Sequence, residues 1–98
     1  MALDPEVLHV LRGIVDPEIG INVVDLGLVY RADRTADAID VAMTMTARTC
    51  PLGELIMEET RASLLQHFPG LRIATSLVWD PPWTPDMMTT QGRESLAM

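Results

Sequence analysis

Cys50 is the single cysteine of the 98-residue chain and sits in the run Thr46-Ala47-Arg48-Thr49-Cys50-Pro51. An alternating apolar pattern precedes this run and a helical pattern follows it. The cysteine therefore falls at a helix N-cap, with Pro51 in the first helical position. Free backbone N–H groups and the positive end of the helix dipole stabilise a thiolate there. Thr46 and Thr49 add hydroxyl donors. A thiolate is both a nucleophile and a soft-metal ligand, so the placement suits metal or sulfur chemistry. A cysteine can equally serve as a small apolar core filler, and the residues alone leave both readings open.

Three carboxylates, Asp16, Glu18 and Asp25, share one loop with Ile19, Ile21, Val23 and Val24. Carboxylates in a partly dry loop can bind a hard cation, move protons or orient a partner's amides. Asp16 precedes Pro17 and reads better as a turn signal. Asp25 is flanked by Val23, Val24, Leu26 and Leu28, so its side chain is either hydrogen-bonded to backbone or turned toward a site. Trp79-Asp80-Pro81-Pro82-Trp83 is a rigid aromatic stretch. It can wall a site or form a partner hot spot, or simply cover the sheet edge. His9 and His67 stand alone without metal-ligand spacing. There is no phosphate-binding glycine loop, nucleophile-elbow serine or paired-cysteine zinc motif.

These residues need elements to hold them. Asp4 caps a first helix that starts at Pro5, and Val7, Leu8, Leu11 and Ile14 or Val15 form its apolar face. Gly13 and Asp16-Pro17 end it. Residues 16–27 are irregular and apolar, an unusual loop that is often functional. Strands are expected over Leu28 to about Ala32 and over Ile39 to Thr46, joined by the polar turn at residues 33–37 as an antiparallel hairpin. A helix from about Pro51 to His67 places Leu52, Leu55, Ile56, Leu64 and Phe68 on or near one face. Leu71 to Trp79 forms a third strand, parallel to the second because a helix connects them. A helical turn near Asp86–Met88 and a helix from about Thr90 to Leu96 follow. The order α-β-β-α-β with short C-terminal helices gives an α+β, two-layer sandwich: a three-stranded mixed sheet with helices on one face. The length fits one domain over residues 1–98.

Net charge is −7, from 7 basic and 14 acidic residues. A chain this acidic repels phosphate backbones and anionic lipid, which argues against nucleic-acid and membrane partners. One cysteine, no secretory leader pattern and no long apolar run fit a reducing cytoplasm.

Three segments together resemble one family. Asp16-Pro17-Glu18-Ile19-Gly20-Ile21-Asn22-Val23-Val24-Asp25-Leu26-Gly27-Leu28-Val29-Tyr30 is similar to its N-terminal signature. Thr46, Thr49, Cys50 and Pro51 match its Thr…Cys-Pro motif. Trp79-Asp80-Pro81-Pro82-Trp83, with Met88 and Gly92-Arg93, matches its C-terminal pattern. The family is the PaaD/SufT-like metal–sulfur cluster biosynthesis domain, and the resemblance spans nearly the whole chain. It implies iron–sulfur cluster assembly or delivery without enzymatic turnover, by transient ligation through Cys50 or as an adaptor between cluster carrier and client proteins. Cys50 would be the cluster or metal ligand. Glu18, Asp25, Thr46, Thr49 and Pro51 would line its pocket, and Trp79, Trp83 and Arg93 would bind partners. Those partners would be cluster scaffolds or carriers and apo iron–sulfur clients, with a homodimer also allowed. The cluster or iron would be transient and shared, because one thiolate is short of the roughly four that a cluster takes. Relatives in phenylacetate degradation carry a cysteine-rich C-terminal extension and others a fused P-loop carrier. Neither is present before Met98, which points away from maturing that oxygenase and toward a carrier on a separate chain. Two other classes compete: a thiol-dependent redox or transferase enzyme using Cys50, and a pure protein-interaction module.

Overall fold

The computed structural model describes residues 3–46 and 53–96. Helix α1 spans Pro5–Leu11, strand β1 Val29–Arg34, strand β2 Ala38–Met43, helix α2 Gly53–His67, strand β3 Arg72–Leu77 and helix α3 Thr90–Leu96. A 3-10 turn at Pro85–Met87 precedes α3. The sheet order is β1-β2-β3, with β1 antiparallel and β3 parallel to β2. This is the mixed three-stranded sheet and α+β class that the element order implies.

Local chemistry explains the ends. Asp4 Oδ1 accepts from the Glu6 and Val7 N–H groups at 2.9 and 3.1 Å, so α1 begins at Pro5. The hairpin turns at Thr35, whose N–H donates to the Ala38 carbonyl at 2.9 Å and whose Oγ1 accepts from the Ala38 N–H at 3.1 Å. β1 runs two residues further than Leu28–Ala32 allows, because Asp33 and Arg34 still pair with Asp40 and Ile39. β2 ends as a ladder at Met43, although the Thr44 N–H still reaches the Leu28 carbonyl at 2.8 Å.

The core lies between the sheet and the helices. Ile39, Val41 and Met43 from β2, Ala32 from β1 and Ile73 from β3 meet Val7 and Leu11 of α1 and Ile56 and Leu64 of α2. Leu55 departs from expectation and is 48% exposed. It is one position, about 100°, round the helix from the buried Ile56; α2 buries Gly53, Ile56, Thr60 and Leu64, and Met57 packs against the core from beside them. Ile14, not Val15, continues the α1 face.

Candidate functional site

The end of β2 and the start of α2 bracket the cysteine segment. Met45 is almost fully buried and Thr46 half-buried. On the far side Gly53 is buried, and a Cβ placed there would lie 3.5 Å from Met45 Cγ. The two chain ends that flank residues 47–52 are thus packed against each other. Thr49, Cys50 and Pro51 lie outside the described residues. Residue Thr46 is half-buried at the edge of that segment.

The 16–27 loop is ordered by its own polar groups. Asp16 Oδ1 accepts from the Glu18 N–H at 2.9 Å, and the Asp16 carbonyl accepts from Ile19 and Gly20. Asp16 is therefore a turn former. Glu18 is exposed beside it. Gly20 and Gly27 take φ of 81° and 79°, a region open mainly to glycine.

Asp25 is 7% exposed and bonded on both carboxylate oxygens. Oδ2 accepts from Asn22 Nδ2 at 2.7 Å, and Oδ1 accepts from Thr89 Oγ1 at 3.0 Å. Asn22 Oδ1 in turn accepts the Asp25 N–H at 2.9 Å. The Thr89 N–H donates to the Asp25 carbonyl at 2.9 Å, and the Gly92 N–H to Thr89 Oγ1 at 3.0 Å. A buried carboxylate thus ties the loop to the start of α3. Asn22 and Thr89 escape sequence reading. The Asn22-x-x-Asp25 spacing is a usable Asx signal for the first, whereas nothing local marks Thr89.

The C-terminal segment from Trp79 to Thr89 is a strap over this loop. Trp79 and Trp83 are half-buried and pack against the core. Trp83 Nε1 donates to the Leu26 carbonyl at 2.6 Å. Tyr30 Oη donates to the Pro81 carbonyl at 2.7 Å and approaches Met87 Sδ at 3.4 Å. The Asp80–Pro81 peptide is cis. Burial pushes the Tyr30 phenol up, the nearby Thr44 hydroxyl tempers that, and the Asp80 charge adds to it. Arg93 is exposed, and its Nη2 donates to the Asp86 carbonyl at 2.8 Å. The strap and β1 also wall an apolar pocket of about 870 Å³. The structure therefore brings Asp25, Trp83 and the α3 segment together on one loop and holds Thr46 at the β2–α2 junction.

Among the described residues no group of three or more His, Cys, Asp or Glu side chains is arranged to hold a metal ion. No helix among them is long and apolar enough to cross a membrane.

Comparison with known proteins agrees with this arrangement. The sequence profile of the iron-sulfur cluster assembly protein family matches residues 4–75. The chain is 35% identical to the Fe-S protein maturation auxiliary factor YitW of Bacillus subtilis, covering 99% of this chain and 96% of that one. It is 36% identical to the Fe-S protein maturation auxiliary factor SufT of Staphylococcus aureus, covering 87% and 98%. The crystal structure of a domain of unknown function, DUF59, from Bacillus anthracis superposes with a TM-score of 0.90 at 29% identity, over 95% of this chain and 90% of that one. With the family model matched over most of its length and relatives at this identity over nearly the full chain, the chain belongs to the iron-sulfur cluster assembly protein family.

Proposed function

We propose that the protein is an iron–sulfur protein maturation factor that takes a cluster or iron transiently on Cys50 and hands it on. The observation that carries this is the placement of the sole cysteine between the end of β2 and the N-terminus of a 15-residue helix, in a chain of this family. The helix N-terminus favours a thiolate immediately upstream of it. Thr46, Thr49 and Pro51 flank Cys50 in sequence, and Glu18 is exposed on the 16–27 loop. Asp25 enters as the residue that fixes loop and strap, since both of its oxygens are engaged. A single thiolate leaves most cluster positions to other ligands. The cargo is therefore shared with a scaffold, carrier or client protein, and the role is handover, with no catalytic turnover of the protein's own.

Anaerobic reconstitution with iron and sulfide, followed by absorption and Mössbauer spectroscopy, tests this. The expected result is an iron–sulfur signal that vanishes in Cys50→Ala. An equal signal in both proteins would remove Cys50 from ligation. No signal in either, with Cys50→Ala still restoring cluster enzymes in a deletion strain, would make the protein an adaptor that binds carrier and client, with Trp79, Trp83 and Arg93 as the surface to mutate next.

A further inference from the structure

The two edges of the sheet are treated differently. The β1 edge carries Arg31, Asp33 and Arg34, has a bulge between Val29 and Arg31, and is partly covered where Leu3 bridges Ala32. These are the devices that keep an edge from pairing. β3 has none of them along Ile73–Leu77, where it is uncharged, proline-free and unbulged against β2. The Arg72 and Val78 N–H groups donate to Asp37 and Met43 on the β2 side. Residues Ile73, Thr75 and Leu77 therefore turn their main-chain groups outward. Among the described residues nothing pairs with them.

What fits beside that edge is set by a groove of about 410 Å³ between β3 and α2, lined by Glu54, Met57, Glu58, Arg61, Thr75 and Leu77. Gly53 packs on Met45 at the end of β2, so α2 runs antiparallel to β3 with Glu54 at the Leu77 end. Glu54, Glu58 and Arg61 recur on one helix stripe with the exposed Leu65. The groove thus has a charge direction, acidic toward Leu77 and basic beyond it. A direction of this kind is complementary to itself when reversed.

We propose that the β3 edge pairs antiparallel with β3 of a second copy about a twofold through Thr75. Thr75 then exchanges main-chain hydrogen bonds with the partner's Thr75, and Ile73 with the partner's Leu77. The two sheets become one six-stranded sheet, with both α2 helices antiparallel on the same face. Glu54 and Glu58 of one copy face the partner's Arg61, and the contact is reciprocal, as a twofold interface requires. The two β2–α2 junctions end up at opposite ends of the assembly, so each acts on its own. The inference is independent of the cluster-handling reading.

Sedimentation velocity of the full chain in reductant, across a concentration series, tests it. The wild type is expected to sediment as a dimer at the upper end. Thr75→Pro removes an outward N–H and no β2 bond, and it should leave a monomer. Arg61→Glu alone, and Glu54→Arg with Glu58→Arg, each place like charges across the twofold. Each should lower the dimer fraction by about tenfold or more, because like-charge contacts oppose docking. These residues are exposed, so folding tolerates the changes. Mixing the two charge variants should restore a dimer that neither forms alone. A wild type that stays monomeric throughout, or a dimer that every variant keeps and mixing does not affect, overturns the proposal.

Discussion

Thr44, the residue after β2, is fully buried, and its Oγ1 makes no hydrogen bond of ordinary geometry among the described residues. An unpartnered buried hydroxyl costs about 1–3 kcal/mol, and an isosteric apolar group removes that cost. Thr44→Val should therefore leave stability unchanged or raise it by about 1 kcal/mol in urea unfolding. A loss of the same size would mean that the hydroxyl has found a partner in solution, with Tyr30 the nearest candidate. Tyr30 gives a second prediction at this scale, through pH. Its folded pKa is raised, chiefly by burial. The folded state then holds the phenolic proton more tightly than the unfolded state. This contribution is complete below the unfolded value of about 10 and is lost as pH rises from there through the folded value. Stability of the wild type should fall over that alkaline window, and Tyr30→Phe should flatten the fall. An unchanged slope in the variant would assign the alkaline loss to other groups.

At the scale of elements, α3 is held by close approach more than by apolar burial. Gly92 is the decisive residue. It lies inside α3, where Ala would ordinarily be favoured by about 1 kcal/mol. Yet a Cβ there would come within 2.6 Å of the Asp25 carbonyl oxygen. Backbone yields little at that distance, so Gly92→Ala should destabilise the protein and free the strap. Because both tryptophans lie in the strap, a rise in acrylamide quenching should accompany the loss. A stabilised variant with unchanged quenching would show that α3 can shift without cost. The same contrast explains what the sequence made legible. The α1 start was readable because Asp4 and Pro5 act within one turn. The parallel β3 was readable because a helix must carry the chain back across the sheet. The passage from β2 to α2 was a matter of local pattern too, whereas the expected N-cap at Cys50 lies outside the described residues. The anchoring of α3 was not readable, since Asp25 meets Thr89 across 64 residues of sequence. Leu55 was misplaced because its exposure depends on which face of α2 meets the sheet, and a 100° step decides that.

For the molecule as a whole, the loop-fixing role of Asp25 and the role proposed for Cys50 call for separate tests. The described core draws on α1, the 16–27 loop, the sheet, α2 and Met88 of the strap. Cys50 lies outside the described residues, between β2 and α2 in sequence, and the role proposed for it is ligation. Substitutions should therefore separate into two kinds. Asp25→Ala leaves the Asn22 amide and the Thr89 hydroxyl without their acceptor, a cost of about 1–3 kcal/mol. In a domain of this size each kcal/mol lowers the melting temperature by roughly 4–8 °C. Cys50→Ala should leave the melting temperature close to wild type and abolish the reconstituted iron–sulfur signal. Asp25→Ala should do the reverse: it melts earlier, but below its transition it still acquires the signal. The measurement is a melting curve and a reconstitution at low temperature on the same preparations. If Asp25→Ala is folded yet loses the signal as fully as Cys50→Ala, the carboxylate acts at the cluster site as well as in the loop. If Cys50→Ala melts far below wild type, the thiol is part of the core and its loss of signal says nothing about ligation.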